Sequence, residues 1–129
     1  IVDMLNASKY SNNNLDGINI LPAVMGDKIN RGPIYWHFPH YSNHGMQSPG
    51  GAIRDGDYKL IEYFENGTLQ LYNLKNDLVE QIDLSKIEIK KTMELKKKLD
   101  NWRTNIGAKM MTKNEEYNPN SNKKISPYR

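Results

Sequence analysis

The sequence predicts a small α+β domain, an antiparallel sheet of about four strands with a C-terminal helix packed on one face. Two dipeptides, Asp55-Gly56 and Asn66-Gly67, each lie between runs of residues with β character. Both dipeptides accept the positive φ of a type I′ turn, so they predict two consecutive hairpins. An apolar stripe at helical spacing follows these strands and predicts the covering helix.

The predicted strands show the alternation of a sheet with two different faces. Residues 33–38, "PIYWHF", are rich in aromatic and β-branched side chains and predict a further strand. In the central strand, alternation places Tyr58, Leu60, Glu62 and Phe64 on one face and Lys59, Ile61 and Tyr63 on the other. We expect Lys59 and Glu62 to face solvent.

The C-terminal helix has both a start signal and a stop signal. The tetrapeptide Ser85-Lys86-Ile87-Glu88 matches a capping box and predicts a helix over residues 86–106. Gly107 marks its expected end. The apolar stripe that should pack on the sheet consists of Leu95, Leu99, Trp102, Ile106 and Met110.

The two ends of the chain differ from this middle part. Residues 1–7 are expected to be helical, and residues 18–28, with Pro22 and Gly26, to form a short buried segment followed by a turn. We expect one domain over residues 1–112 and a polar tail over residues 113–129 that is extended or disordered. Because the first residue is Ile1 and not Met, we also expect the chain to be a piece of a longer protein.

Composition excludes several classes of function. The 129 residues include no cysteine, which excludes disulfides, thiolate metal sites and a cysteine nucleophile. No apolar run approaches the ~20 residues of a membrane span. The net charge is only +3, and aromatic residues are not interleaved with the basic clusters as a nucleic-acid stacking platform would need. We therefore expect neither a membrane span nor a nucleic-acid partner.

Residues 35–45, "YWHFPHYSNHG", hold all three histidines, His37, His40 and His44. A zinc site wants three or four ligands on a rigid support, yet Pro39 separates the first two histidines and no carboxylate lies nearby. No serine or aspartate is placed for a nucleophile and base pair. We therefore predict no catalytic residue and no metal ligand here. Substrate contact and packing at a domain boundary both remain open for these histidines.

Several segments, in order, resemble the C-terminal subdomain of the sulfatases, the arylsulfatase-like branch of the alkaline-phosphatase superfamily. "LDGINILPAVMGDK" is similar to the family's "DG-x-S-L-L-P-x-L-x-G", with Asn19 in place of Ser. "RGPIYWHFPHY" is similar to the segment that follows it. "GGAIRDGDYKLIEYFENGTLQLYNLKNDLVEQIDLS" resembles the family's meander, with Leu78 for Pro and Asp83 for Asn. "LKKKLDNWRTNIGAKM" matches the closing helix.

The resemblance implies a sulfate ester hydrolase whose chemistry lies outside this chain. The family's "C/S-x-P-x-R" motif is absent, because in Ser126-Pro127-Tyr128-Arg129 the proline and arginine are displaced by one position. The resemblance therefore implies that formylglycine and calcium belong to an N-terminal catalytic domain of the same polypeptide, and that the isolated chain is inactive. It also implies a sulfated carbohydrate or aryl substrate, with His37, His40, His44 and Arg54 as candidate substrate-binding residues.

Three further expectations follow from the resemblance. The parent protein is expected to be periplasmic or secreted. The chain is expected to expose an apolar face that the catalytic domain would cover, and hence to self-associate; the candidates are Ile1, Met4, Leu5, Ile20, Leu21 and Val24. The alternative is a non-enzymatic interaction or carbohydrate-binding module with a similar topology.

Overall fold

The computed structural model describes Leu5, residues 17–42 and residues 48–116. The chain divides into two compact units, residues 1–32 and residues 33–129. The expected helix over residues 1–7 lies outside the described residues except for Leu5, which is an exposed turn residue. Most of the predicted polar tail lies outside them as well.

The described residues of the first unit contain one short helix, α1 (Leu21–Val24). Asn19 Oδ1 accepts a hydrogen bond from the Leu21 N–H at 3.0 Å, so the amide supplies the side-chain acceptor that a serine could also supply before a helix. Pro22 lies in the first turn, where backbone N–H groups have no partner within the helix. The missing N–H of proline therefore costs no helical hydrogen bond. The predicted turn is confirmed by Gly26, with φ +94. The predicted burial is wrong, because a four-residue helix has too few side chains to bury a face, and none of its residues is buried.

The second unit is a four-stranded sheet followed by one long helix, which confirms the α+β class. The strands are antiparallel and lie in chain order, β1-β2-β3-β4. Their bounds are β1 Ile34–Phe38, β2 Gly50–Asp55, β3 Tyr58–Tyr63 and β4 Leu69–Asn73, and the helix is α2 Ile89–Asn105. No helix in the described parts of the chain is long and apolar enough to cross a membrane.

Both predicted hairpin turns are present, but the first is shifted by one residue and is of a different turn type. Asp55 pairs with Tyr58 across the first hairpin, so the two turn residues are Gly56 and Asp57. Gly56 has φ +60 while Asp57 does not have a positive φ, which fits a type II′ turn with glycine at its first position rather than type I′. In the second hairpin Gly67 has φ +68, and its N–H donates to the Tyr63 carbonyl at 2.9 Å.

The core lies between the sheet and α2. Its fully buried members are Ile53, Leu60 and Leu71 from the sheet and Leu95 and Leu99 from α2. Trp102 packs beside them, with its ring 4.8 Å from that of Tyr35 and nearly parallel to it. This confirms the first three positions of the predicted stripe.

The last two positions of that stripe were predicted wrongly. Ile106 and Met110 are exposed, because α2 ends at Asn105 and the face that packs on the sheet ends with it. Gly107, with φ +61, marks the end as predicted.

The capping box at residues 85–88 is also wrong, and α2 begins at Ile89 instead. Glu88 occupies the N-cap position and makes no side-chain cap hydrogen bond. The polar groups of the tetrapeptide have other partners: Ser85 hydrogen-bonds to Asp83, and the hydrogen bond with Glu88 raises the pKa of the Tyr58 hydroxyl. The N–H groups of Ile87 and Glu88 instead donate to the Leu84 carbonyl in a turn that precedes the helix.

The open edge of β4 is closed by residues that follow it in sequence. The Leu71 N–H donates to Asp83 Oδ1 at 3.0 Å, and the Leu84 N–H donates to the Leu71 carbonyl at 2.8 Å. Ser85 N–H donates to the same Asp83 oxygen at 2.8 Å. Partial burial raises the pKa of the Asp83 carboxyl, but these hydrogen bonds outweigh it and hold the pKa below its ordinary value. The edge strand therefore depends on one ionised side chain.

Asp83→Ala should lower the free energy of unfolding by about 1 kcal/mol at pH 7, because it removes the acceptor of two backbone N–H groups at a partly exposed site. Since the folded-state pKa is lowered, this stabilisation is present above about pH 4 and disappears as the pH falls through the folded-state pKa. Urea unfolding at several pH values checks this. Asp83→Asn, which keeps an oxygen acceptor, should retain most of the stability at pH 7 and lose its pH-dependent part. An equal effect of Ala and Asn at pH 7 would contradict this account.

Candidate functional site

The aromatic side chains of β1 point to opposite faces of the sheet. Tyr35 faces α2, where it stacks on Trp102. Trp36 and Phe38 lie on the other side, which we call the outer face; its members are Trp36, Phe38, Ala52, Arg54, Lys59, Ile61 and Tyr63. These residues line one cavity of about 830 Å³. No residue of α2 is among the described residues that line this cavity. Neighbouring aromatic residues could together offer a flat face to a sugar ring, but the sheet separates Tyr35 from Trp36.

His37 faces the helix side and already has a partner. Its Nε2 lies 2.8 Å from the carbonyl oxygen of Lys109, and its ring lies 5.5 Å from that of Phe64. The Nδ1 atom is buried and has no hydrogen-bond partner among the described residues. The hydrogen bond joins the segment after α2 to β1, so the contacts of His37 are those of a packing residue. Its predicted role in substrate binding stays a prediction.

His40 lies just beyond β1 and is exposed. Its ring stands edge-on to Phe38, with 5.7 Å between the ring centroids. Arg54 is also exposed, and Nε makes only a long hydrogen bond of 3.5 Å to the Gly56 carbonyl. His44, the last of the predicted site residues, lies outside the described residues. The structure therefore places Arg54 and Phe38, the ring contacted by His40, on the outer face, and places His37 on the opposite side.

Within the described residues, no group of three or more His, Cys, Asp or Glu side chains is placed to hold a metal ion. The sequence also lacks cysteine and the "C/S-x-P-x-R" motif. The described side chains of this chain therefore fit neither the calcium site nor the formylglycine that the resemblance implies for the parent enzyme.

Sequence reasoning missed a buried ion pair between the sheet and α2. Glu62, which we expected to face solvent, has a side chain only 12% exposed and accepts a hydrogen bond from Arg103 Nη1 at 2.6 Å. The Arg103 side chain is 9% exposed, and its guanidinium lies 4.8 Å from the Phe64 ring centroid. A methyl group at Gly51 would collide with Arg103 Nη2. The adjacent glycines of "PGG" were the available signal, because a strand glycine often marks a close approach.

A second ion pair lies at the outer face. Lys59 Nζ is 2.7 Å from Glu80 Oε1, and both side chains are only partly exposed. Glu80 has φ +60 and belongs to the loop between β4 and α2. The expectation that Lys59 faces solvent is therefore wrong in part: it lies on the predicted face but is paired with a carboxylate of this loop.

A family model described as N-sulphoglucosamine sulphohydrolase, C-terminal, matches residues 2–105, most of the chain. This chain belongs to that family. No curated protein matches it. The fold is similar to that of a candidate sulfatase from Bacteroides thetaiotaomicron VPI-5482, at a TM-score of 0.64, 25% identity and 81% coverage of this chain. It is also similar to a 2-O GAG sulfatase, at a TM-score of 0.66, 25% identity and 83% coverage. These findings confirm the resemblance to a sulfatase C-terminal subdomain.

The chain spans 23% of the length of each of these two solved structures. The matched part is the C-terminal part of a sulfatase, as the family description states. These matches therefore show the family of this chain. They do not show the activity, substrate or partners of a whole sulfatase.

The positions of the two described histidines predict different effects on stability. His37→Ala should lower the free energy of unfolding by about 1–3 kcal/mol, because it removes the hydrogen bond to Lys109 and the contact with Phe64. His40→Ala, its matched control, removes an exposed ring and should change stability by no more than about 0.5 kcal/mol. Urea unfolding of both variants makes the comparison. Equal losses would show that His37 is not a packing residue.

Proposed function

We propose that this chain is the C-terminal part of an exported sulfatase that hydrolyses sulfate esters of carbohydrates. The observation that carries the proposal is the family match over residues 2–105. The similarity to a 2-O GAG sulfatase supports a sulfated sugar over an aryl sulfate as the substrate. Export to the periplasm or beyond is part of the proposal, because such a substrate is found outside the cell.

In this proposal the catalytic N-terminal part of the same polypeptide supplies the chemistry. It would carry the formylglycine and the calcium ion that act on the sulfate group. This chain contributes to the side of the cleft that receives the rest of the substrate. Its contribution is binding and orientation, because its described residues provide neither a metal site nor the nucleophile motif.

The loop after β1 is the part of this chain that we propose contacts substrate. His40 is exposed there, and His44 follows it four positions later in the sequence. A neutral imidazole can exchange hydrogen bonds with sugar hydroxyls, and a protonated one can also oppose a second sulfate group. His37 is a weaker candidate, since its Nε2 already lies against the Lys109 carbonyl. Arg54 is an exposed residue of the outer face and a further candidate for contact with an anionic group of the substrate.

The test compares the 129-residue chain with the longer sulfatase polypeptide that carries this segment. The longer polypeptide should release sulfate from a sulfated disaccharide, and the chain alone should release none above the buffer rate. In the longer polypeptide His40→Ala should lower kcat/KM for the disaccharide about three- to hundredfold, mainly through KM, as expected for a lost hydrogen bond. A small aryl sulfate, which does not reach the loop, should be hydrolysed almost as before.

For comparison, His37→Ala in the same polypeptide should change the ratio of kcat/KM between the two substrates less than His40→Ala does, because its Nε2 already lies against the Lys109 carbonyl. Equal losses on both substrates for His40→Ala would contradict a substrate contact. Sulfate release by the chain alone would contradict the assignment of the chemistry to the catalytic part. A longer polypeptide that binds sulfated sugars and hydrolyses none would favour a carbohydrate-binding module.

A further inference from the structure

Three buried nitrogen atoms on the helix side of the sheet have no hydrogen-bond partner among the described residues. They are Nδ1 of His37 and the Nε and Nη2 atoms of Arg103. Buried polar groups of folded proteins are nearly all paired, either with a protein group or with an ordered water molecule. A bare polar group is costly, because it has lost its hydration and gained nothing in return. These three atoms therefore point to a partner other than the described protein groups.

The two side chains are neighbours in space. His37 pairs with Gly51 across β1 and β2, and Gly51 pairs with Glu62 across β2 and β3. The three residues form a row on one face of the sheet, with neighbouring strands about 4.8 Å apart. Arg103 Nη2 lies over the middle of this row, because a methyl group at Gly51 would collide with it. The guanidinium of Arg103 therefore lies beside the ring of His37.

The ring of Phe64 contacts both groups. Its centroid lies 5.5 Å from that of the His37 ring and 4.8 Å from Cζ of Arg103. Phenylalanine has no polar side-chain atom, and Gly51 has no side chain at all. Both residues therefore help to exclude bulk solvent from this place, and neither offers a side-chain hydrogen bond to the three nitrogen atoms.

The two unpaired atoms of Arg103 lie on one edge of its guanidinium. The group is planar, and its Nε–H bond runs parallel to one N–H bond of Nη2. Nη1 lies on the other side and donates to Glu62 Oε2 at 2.6 Å and to Asp100 Oδ1 at 3.2 Å. The unpaired edge therefore presents two parallel donors, which can meet at a single acceptor atom.

His37 presents an acceptor at this place. Its Nε2 lies 2.8 Å from the Lys109 carbonyl oxygen, and a carbonyl oxygen can only accept a hydrogen bond. In a neutral imidazole Nε2 therefore carries the proton, and Nδ1 has a lone pair that needs a donor. The partner of the three atoms must accept from Arg103 and donate to His37.

A water molecule meets both requirements, because its oxygen accepts two hydrogen bonds and its O–H groups donate. Buried waters typically make about three hydrogen bonds to polar groups that would otherwise be unsatisfied. An inorganic anion fits less well, since it would face the Nδ1 lone pair and since Arg103 is already paired with two carboxylates. We propose that one internal water molecule joins the Nε/Nη2 edge of Arg103 to Nδ1 of His37.

This water makes His37 a link between three parts of the chain. Through Nε2 the ring holds the segment after α2, and through the water it holds α2 itself. β1 lies at the edge of the sheet and pairs only with β2 among the described strands, so contacts with α2 help to fix it. The bridge therefore steadies the strand from which the loop after β1 leaves. This inference does not depend on the proposed function.

NMR spectroscopy of the 129-residue chain tests the proposal at the atoms concerned. Long-range proton–nitrogen spectra should show His37 as the Nε2–H tautomer. NOESY and ROESY spectra, which together separate a bound water from proton exchange, should show a cross-peak between a long-lived water and the Nε–H of Arg103. A protonated Nδ1, or no such cross-peak, would overturn the proposal.

Two glutamine variants make a matched pair. The amide nitrogen of a glutamine can reach the position of a histidine Nε2 and donate to Lys109, but no atom of glutamine replaces Nδ1. His37→Gln should therefore abolish the water cross-peak at Arg103, whereas His40→Gln, at an exposed ring, should leave it unchanged. A cross-peak that persists in folded His37→Gln would show that His37 does not hold the water. If His37→Gln does not fold, the spectra of the unmodified chain decide.

A crystal structure of the same chain separates the other possible partners. The proposal requires one oxygen peak about 2.7–3.2 Å from Nδ1 of His37 and from the unpaired edge of Arg103. An anion at this position, identified by anomalous scattering in crystals grown with bromide, would overturn the proposal. A direct hydrogen bond from this edge to a backbone carbonyl, or to a residue outside the described ranges, would overturn it as well.

Discussion

The ion pair between Glu62 and Arg103 fixes how α2 lies on the sheet, and the other contacts of this interface fit around it. Leucines of α2 can slide on an apolar surface with little loss, because hydrophobic burial has no direction. Arg103 Nη1 donates to Glu62 Oε2 at 2.6 Å, and this directional contact restricts where that part of α2 can lie. The Nε and Nη2 atoms of Arg103 are buried without a hydrogen-bond partner among the described residues. Gly51 leaves the space that the guanidinium occupies. The cost of a misplaced helix is high, since it would leave a charge buried without its partner.

The position of α2 gives the two faces of the sheet different surroundings. On the helix side, α2 covers the sheet. The His37 ring donates a hydrogen bond to the Lys109 carbonyl and so holds the segment after α2 against β1. The outer face mixes exposed aromatic side chains, Trp36 and Phe38, with charged ones. Lys59 pairs with Glu80, and Arg54 lies within salt-bridge distance of no carboxylate in the described residues. The loop that we propose contacts substrate begins beside Phe38 on this outer face.

The sequence predicted those parts of the fold that depend on local chemistry. Gly67 and Gly107 stand where positive φ is needed, and Leu95 and Leu99 recur at the helical period. The capping box failed because Ser85 bonds to Asp83, which closes the edge of β4, and no local pattern reveals that edge. For the same reason the site was harder to predict: the face on which His37 lies depends on strand pairing, and the burial of Glu62 depends on Arg103, 41 positions away in sequence.

A double-mutant cycle on Glu62 and Arg103 tests most directly whether this ion pair positions the helix. The free energy of unfolding is measured in urea for Glu62→Gln, Arg103→Met and the double variant. Each single variant should lose about 1.5–3 kcal/mol, the value of a hydrogen bond between charged groups. Lys96, 3.3 Å from Glu62, and Asp100, 3.2 Å from Arg103 Nη1, still pair with the group that remains. The double variant should lose less than the sum of the two, by a coupling energy of about 1–3 kcal/mol. Additive losses would contradict the account, since they would mean that the two side chains contribute independently. The leucine contacts and the pair between Lys98 and Asp55, 2.7 Å apart, would then hold α2 in place without them.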